Sequence, residues 1–535
     1  MRPISVSVPE GDDASLPITC DGALLTALMH NRAIEVARWG PAIGETFVPE
    51  ARAAFDPALL SSVAWEKGDS QRASASSVSS GSANVSSVST TSGGVAPALE
   101  DAIDVLTALR RLAALEARRD RPVARAEETV GSIAIRQRFP TGSSVTVSGG
   151  VTASTNSATG DDNLGHWTVE VQQALLRGAP LAVNLVTLRQ ARNRAAQSEH
   201  AFCAAVLAVT HRVEKAYWDL ALAKETLAIR RFGVALAEEQ LARQRDLFSV
   251  GRAIEGDVMA ARAEEASRRA DLVDAEANLR QRTIALIHLL GVEDAGRWRM
   301  TLDPQDMPDV SPVEVDPDIS ERLALRYRPE LVQAELEAAN LALDVQRAAN
   351  DLLPQLDLVA SYGRTSRGDE TSDATRFLGS SRFEQYRVGV QLQTPILNRA
   401  ERARYRRADL LREQGDRLVS SIESALAAEV RQAAIHVDRL QERIRATQEA
   451  LKNRVEQLRV ALDRNSVGKT TNLDVLLVQR DLIQARVEEV SARVSYVEAL
   501  TDLYAAEGTL LARRGISLDY VQKAGSAPPP EATPE

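Results

Sequence analysis

Aromatic residues are scarce in this chain: Phe, Trp and Tyr make up 4% of 535 residues, while charged residues reach 26% with Ala, Leu, Arg and Glu prominent. That balance suits long helices rather than a mixed α/β core. Cysteine is nearly absent. Cys20 and Cys203 have no metal-ligand spacing and cannot build a disulfide framework. Six scattered histidines, with no Gly-rich phosphate loop and no nucleophile motif, leave nothing from which to assemble an active site. The chain is therefore not expected to be an enzyme, and no catalytic residue, metal or cofactor is expected. A net charge of -10 leaves no basic face for phosphates, which excludes nucleic acid as a partner. No run approaches the roughly 18 consecutive apolar residues of a membrane helix, so any membrane-spanning part must be a closed β-barrel. The start of the chain shows no basic region followed by an apolar core, so no secretion signal is visible there. Leu-Pro-Ile-Thr before Cys20 is only a faint match to a lipoprotein cleavage site.

What the chain does have is a repeat. Ser249-Val250-Gly251-Arg252 is followed by Asp257-Val258, and Ser466-Val467-Gly468-Lys469 by Asp474-Val475, at an offset of 217, the difference between 251 and 468. Each copy interrupts a long proline-free pattern, as the tip of a helical hairpin would. The offset is 219 at the strand-like Val169 and Val388, but 297 between Ile34 and Leu331 and between Pro57 and Pro354. The difference, 78, is an insertion in the first repeat between Pro57 and Val169. It holds a Ser-rich tract at 70–95, too polar to support a core, and an expected amphipathic helix from Pro97 to Arg119, read as a surface decoration.

Helices are expected over 181–250, 253–290, 319–352, 400–467, 470–514 and 21–54. Their lengths match in pairs: each long helix has two shorter partners that sum to it, 253–290 and 319–352 for the first, 470–514 and 21–54 for the second. Leu476, Ile483, Val490, Val497, Tyr504 and Leu511 recur every seven residues with Val487 and Val494 between them, a coiled-coil seam. Alternating segments expected to be strands are Leu59 to Trp65 and Trp167 to Gln173 in the first repeat, and those around Leu356 to Gly363 and Tyr386 to Gln393 in the second. Ile133 to Phe139 and Val145 to Val151 are two further candidates. Alternation suits a membrane barrel and a soluble hairpin equally, so the strands alone do not decide.

Asn31-Arg32-Ala33-Ile34, Phe55-Asp56-Pro57, Gln173-Ala174-Leu175-Leu176-Arg177-Gly178, Ala216-Tyr217-Trp218-Asp219-Leu220, Arg328-Pro329-Glu330-Leu331, Leu353-Pro354-Gln355-Leu356 and both tips together give a specific pattern. Over nearly its whole length the chain resembles the TolC-like outer-membrane efflux and secretion proteins. The resemblance implies a mainly α fold: duplicated long antiparallel helical hairpins forming an α-barrel, plus strands contributing to a shared transmembrane β-barrel. It also implies a homotrimer in the outer membrane, four strands per subunit in a twelve-stranded barrel, and a helical tunnel through the periplasm. A periplasmic adaptor docking at the tips would open it, an inner-membrane transporter would supply the energy, and outer-membrane lipid would surround the barrel.

The implied division is an N-terminal extension at 1–20, a first upper helix and strands at 21–177 with the insertion at about 66–130, and a first long hairpin at 178–300. A linker follows at 301–318, then the second upper helix and strands at 319–398, the second long hairpin at 399–515 and a Pro-rich tail at 516–535. Val250, Gly251, Arg252, Val467, Gly468 and Lys469 are the candidate docking residues. Asp257 and Asp474 are candidates for lining a gate, although a carboxylate in the first turn of a helix also favours its exposed N–H groups. Leu477 is apolar where a second acidic ring would be expected. The competing expectation is a soluble coiled-coil scaffold or tether.

Overall fold

The computed structural model describes residues 15–70, 124–156, 160–292, 297–308, 310–368, 383–467 and 469–517. The Ser-rich tract past residue 70, the helix expected at 97–119, Gly468 and the tail past 517 lie outside these residues. The elements in chain order are β1 (Ser15–Ile18), α1 (Cys20–His30), α2 (Arg32–Ala53), β2 (Ala58–Ser70), β3 (Ala124–Arg138), β4 (Ser143–Asn156), β5 (Gly160–Ala174), α3 (Leu181–Asn184), α4 (Val186–Ser249), α5 (Glu255–Leu290), β6 (Thr301–Pro304), α6 (Pro317–Tyr327), α7 (Pro329–Asp351), β7 (Gln355–Gly368), β8 (Glu384–Gln393), α8 (Arg399–Ser466), α9 (Asn472–Ala506) and α10 (Leu510–Arg513). They fall into two compact units, one of Met1–Gly44, Arg194–Ala338 and Gly415–Glu535, the other of Glu45–Asn193 and Ala339–Gln414.

The first unit is helical. The proline-free stretches become α4, of 64 residues, and α8, of 68, close to the expected bounds. α5 returns beside α4 through Arg230–Asp271 at 3.2 Å and Arg282–Asp219 at 2.8 Å. Gln197 of α4 donates to Glu337 of α7 at 3.1 Å, so the two shorter helices α5 and α7 both lie against the long one, as the length matching anticipates. α2 also lies against α4, where a Cβ on Gly44 would meet the Ser198 side chain. The helices expected at 21–54 and 319–352 are each broken once. The breaks are at Asn31 and Arg328, both extended (ψ 122° and 118°) and 297 residues apart. Pro329 pushes Arg328 out of the α region. Asn31 instead caps: its Oδ1 accepts from Ala33 N–H at 2.8 Å while its amide donates to the Leu289 carbonyl at 2.6 Å.

Two glycines 217 residues apart hold these breaks in place. Gly291 and Gly508 have φ of +70° and +73°, and a Cβ would meet the His30 carbonyl oxygen at 2.1 Å and that of Tyr327 at 2.9 Å. Only glycine suits both the left-handed backbone and the close approach.

The seven-residue seam is buried at Leu476, Ile483 and Val497 of α9 and at Leu511 of α10, but α9 buries more than this seam. Ala485, Ala492, Ala499 and Ala506, again seven apart, are buried with Leu482, Tyr496 and Leu503 on a second stripe. Val494 and Val497 join a core with α1, α4 and α5. Ala492, Tyr496, Ala499 and Leu503 join another with Ala324 of α6 and Val430, Val437, Leu440 and Ile444 of α8. α9 is therefore sandwiched, and its alanines let a neighbour approach closely. Two tyrosines tie down the Pro-rich linker. Tyr217 donates to Asp306 Oδ2 at 2.9 Å, and Tyr496 donates to the Ser311 carbonyl at 3.0 Å while accepting from Val313 N–H. The linker and the N-terminal extension also form a small parallel sheet, β1 with β6, for which no pattern was legible. Cys20 is buried as the first residue of α1, its N–H bonded to Asp306 Oδ2 at 2.6 Å, so the faint lipoprotein match falls inside the folded core.

The second unit is built on one six-stranded antiparallel meander in the order β2-β3-β4-β5-β7-β8. All six candidate strands form, including both that the insertion adds. Among the described residues this sheet thus has six strands where the resemblance implies four. In this unit the start of α4 is tied to α7 by Gln190 to Asp344 at 2.8 Å and by Asn193 to Asn340 at 2.9 Å.

Candidate functional site

Two surfaces carry the chain's chemistry: the hairpin tips of the helical unit and the faces of the sheet. At the first tip, the turn that closes α4 passes through Gly251, whose φ is +74°. Arg252 N–H donates to the Leu247 carbonyl at 2.8 Å and Gly251 N–H to that of Phe248 at 3.0 Å, a Schellman ending that satisfies the last carbonyls. A Cβ on Gly251 would meet nothing within 4 Å, so this glycine is required by its backbone and not by packing. The second tip repeats the outer bond: Lys469 N–H donates to the Arg464 carbonyl at 2.9 Å, 217 residues on from its counterpart.

Each returning helix starts with an aspartate at its third position, but the two differ. Asp474 accepts from Thr471 N–H at 3.1 Å, from Thr471 Oγ1 at 2.7 Å and from Thr470 Oγ1 at 3.0 Å. Thr471 Oγ1 in turn accepts from Asp474 N–H at 3.2 Å, closing a reciprocal capping box. These bonds, the Thr471 hydroxyl's above all, lower the Asp474 carboxyl below its usual range. Ile254 has no side-chain acceptor, so at the first tip only Asp257 Oδ2 accepting from Ile254 N–H at 3.4 Å remains. Both aspartates serve helix starts. Leu477 is exposed, without a carboxylate to add.

Val250 and Val467 stand 66% and 65% exposed, with Phe248, Ile254 and Leu473 also exposed beside them. Sequence reading missed the last three, although an apolar residue that falls where a helical pattern breaks has no core to enter. Behind the tips, Gln240 and Gln244 of α4 both donate to Asn472 Oδ1 of α9, at 2.5 and 3.0 Å, and all three are buried. This amide cluster locks the first hairpin to the second. It too was missed, since two glutamines four apart look like an ordinary solvated face.

The sheet settles what alternation left open. Successive side chains on a strand point to opposite faces, so the pairing register sorts them. On one face Leu356 pairs with Leu392, Leu358 with Val390, Ala360 with Val388 and Tyr362 with Tyr386. The same face continues through Val169 and Val171 of β5, Val145 and Val147 of β4, Ile133 and Ile135 of β3, and Leu59 and Val63 of β2. Trp167 and Tyr362 meet on it edge to face at 5.6 Å. The opposite face carries Ser62, Ser132, Arg136, Thr146, Ser148, Glu170, Asp357 and Arg387. There Ser62 and Ser132 hydrogen-bond at 2.7 Å and Gln172 donates to Asp357 at 2.8 Å. An apolar face spanning six strands, exposed to the point that Tyr386 and Val388 are 83% and 76% accessible, is the lipid face of a barrel. Among the described residues no helix is long and apolar enough to cross a membrane, and no cluster of His, Cys, Asp and Glu could hold a metal ion.

Residues 142–292 and 322–509 match the model of the outer membrane efflux protein family. The chain belongs to that family. Outer membrane protein TolC of Vibrio cholerae is 25% identical over 334 residues, covering 61% of this chain and 73% of that protein. The pyoverdine export outer membrane protein OpmQ of Pseudomonas aeruginosa is 27% identical over 331 residues, covering 60% and 66%. Among solved structures, the Campylobacter jejuni CmeC outer membrane channel superposes with a TM-score of 0.64 at 13% identity, covering 94% of this chain and 90% of that one. VceC of Vibrio cholerae superposes with a TM-score of 0.61 at 16% identity, covering 91% and 96%. This outer membrane efflux protein is an outer-membrane channel and not an enzyme, with the helical and barrel fold that the resemblance implied. Nothing supports the soluble scaffold.

Proposed function

We propose that three copies of this outer membrane efflux protein form one passive conduit, a channel-tunnel of a tripartite efflux or type I secretion system. Each copy contributes its sheet to a shared barrel and its paired helices to a tunnel, and a periplasmic adaptor linked to an inner-membrane transporter opens it. The observation that carries this reading is the six-strand apolar face, which a single chain leaves uncovered. Docking is assigned to Val250, Gly251, Arg252, Val467, Gly468 and Lys469, because apolar side chains stand exposed beside a fixed cationic residue at two equivalent turns. Such a patch suits the apolar centre and charged rim of a protein contact. Asp257 and Asp474 are assigned to the same mouth, where threefold symmetry would set three copies of each about one axis. Their first task remains capping.

The relatives are named for pyoverdine export and, in Dickeya chrysanthemi, for secretion of proteases. Cargo for this chain is accordingly a small molecule or a polypeptide chosen by the transporter it serves. The test of docking is cysteine-free crosslinking of the assembled channel to its adaptor. Gly251→Pro, which forbids the left-handed φ of that residue, and Gly468→Pro should abolish crosslinking while the assembly stays intact. Unchanged crosslinking would remove the tips from the contact.

A further inference from the structure

We infer that the shared barrel has eighteen strands, closed by β8 of each copy pairing antiparallel with β2 of the next. This rests on the trimer proposed above. Four observations support it. The sheet is one unbroken meander whose two ends are β2 and β8, so among the described residues each of these has a single strand neighbour. An even number of alternating strands makes the two ends run in opposite directions, and copies joined head to tail by rotation then stay antiparallel at every junction. A seven- or five-stranded sheet would not.

The added hairpin β3–β4 is also built as barrel wall and not as an appendage. Its strands are 15 and 14 residues long, as long as β5 and β7, and their register continues both faces: Ile133, Ile135, Val145 and Val147 on the apolar side, Ser132, Arg136, Thr146 and Ser148 on the polar side. Its turn is fastened to the end of β5 and to the chain just past it. Asn184 donates to the carbonyls of Pro140 and Gly178 at 2.9 and 2.7 Å, and Gln173 donates to that of Thr141 at 3.1 Å. Finally, β8 carries neither of the residue types that most often blunt an edge. β8 is ten residues with no proline or lysine, and every one of its residues is exposed. A bare edge of that length pairs with another strand, and the occupant that supplies a matching antiparallel edge with an apolar outer face is β2 of a second copy, through Leu59 and Val63. Because barrel diameter grows roughly linearly with strand number, eighteen strands give a bore about one and a half times as wide as twelve.

The test is electron cryomicroscopy of the full chain in lipid nanodiscs, with the subunit count taken independently by native mass spectrometry. A trimer with eighteen strands is expected. A trimer with twelve, the β3–β4 hairpin lying outside the wall, overturns this inference and leaves the channel reading intact; any other subunit count overturns the trimer itself. Two variants check the same point in solution. On a background of Cys20→Ser and Cys203→Ser, cysteine pairs with one member at 59, 61 or 63 and the other at 388, 390 or 392 should give covalently linked trimers on oxidation. Ile135→Trp should lose most of its fluorescence to brominated lipid. A tryptophan at 135 that such lipid leaves unquenched contradicts a lipid-facing hairpin.

Discussion

The helical unit and the sheet unit solve the problem of apolar surface in opposite ways. The helices bury much of theirs inside the chain: α9 alone feeds two separate cores, one shared with α1, α4 and α5 and the other with α6 and α8. The sheet buries almost none. Its apolar side chains are collected on one face by the strand register and left open, and β8 is exposed from end to end. The helical unit thus forms its cores within one subunit, although Val36, Trp39, Val273 and Ile435 stand exposed on its helices, whereas the sheet leaves its apolar face open. Substitutions should divide the same way.

The largest effect is expected on the lipid face. Val147→Arg places a charge among Val145, Ile135 and Val169, at a cost of about 2–4 kcal/mol near the bilayer centre, and should abolish recovery of assembled channel from the outer membrane. Thr146→Arg, one residue along on the polar face beside Arg136 and Glu170, should leave recovery unchanged. Equal damage from both would erase the distinction between the faces. Next comes the helical core. Leu503→Ala, at a fully buried position of α9, should cost about 2–5 kcal/mol and lower the denaturation midpoint without changing membrane targeting.

A smaller contrast separates two kinds of glycine. Gly291→Ala drives a methyl into the His30 carbonyl and should destabilise clearly, whereas Gly251→Ala meets nothing and incurs only the left-handed backbone penalty, about 1 kcal/mol. Thermal denaturation of the two variants side by side measures the difference, and equal shifts would remove the packing role of Gly291.

The smallest expected effect is on pH dependence. Glu498 of α9 is half-buried, and that burial, reinforced by Asp219 and opposed by Lys215, pushes its carboxyl up from 4.5 to about 7. The folded state therefore holds this proton more tightly than the unfolded chain, so the group's contribution to stability is full below about 4.5 and is lost as pH rises through 7. Glu498→Gln should flatten the decline in stability across that window. An unchanged profile would mean that Glu498 titrates normally.

Most of the helical unit was legible because it is written locally. Proline-free runs set α4, α5 and α8, and the 217-residue offset located both tips and equally relates Gly291 to Gly508. The second stripe of α9 was present in plain view as Ala485, Ala492, Ala499 and Ala506, but alanine carries little hydrophobic signal. The six strands were legible singly. Their common apolar face was not, because it depends on pairings such as Val169 with Tyr362 that join residues nearly 200 apart. The tip residues Phe248, Ile254 and Leu473, and the Gln240–Gln244–Asn472 lock, likewise depend on which surfaces the fold leaves open or brings together.

The most direct test of the open lipid face is fractionation of cells producing the full chain, followed by counting subunits in the detergent-extracted complex. A three-chain complex recovered from the outer-membrane fraction is expected. A soluble monomer or dimer would contradict it.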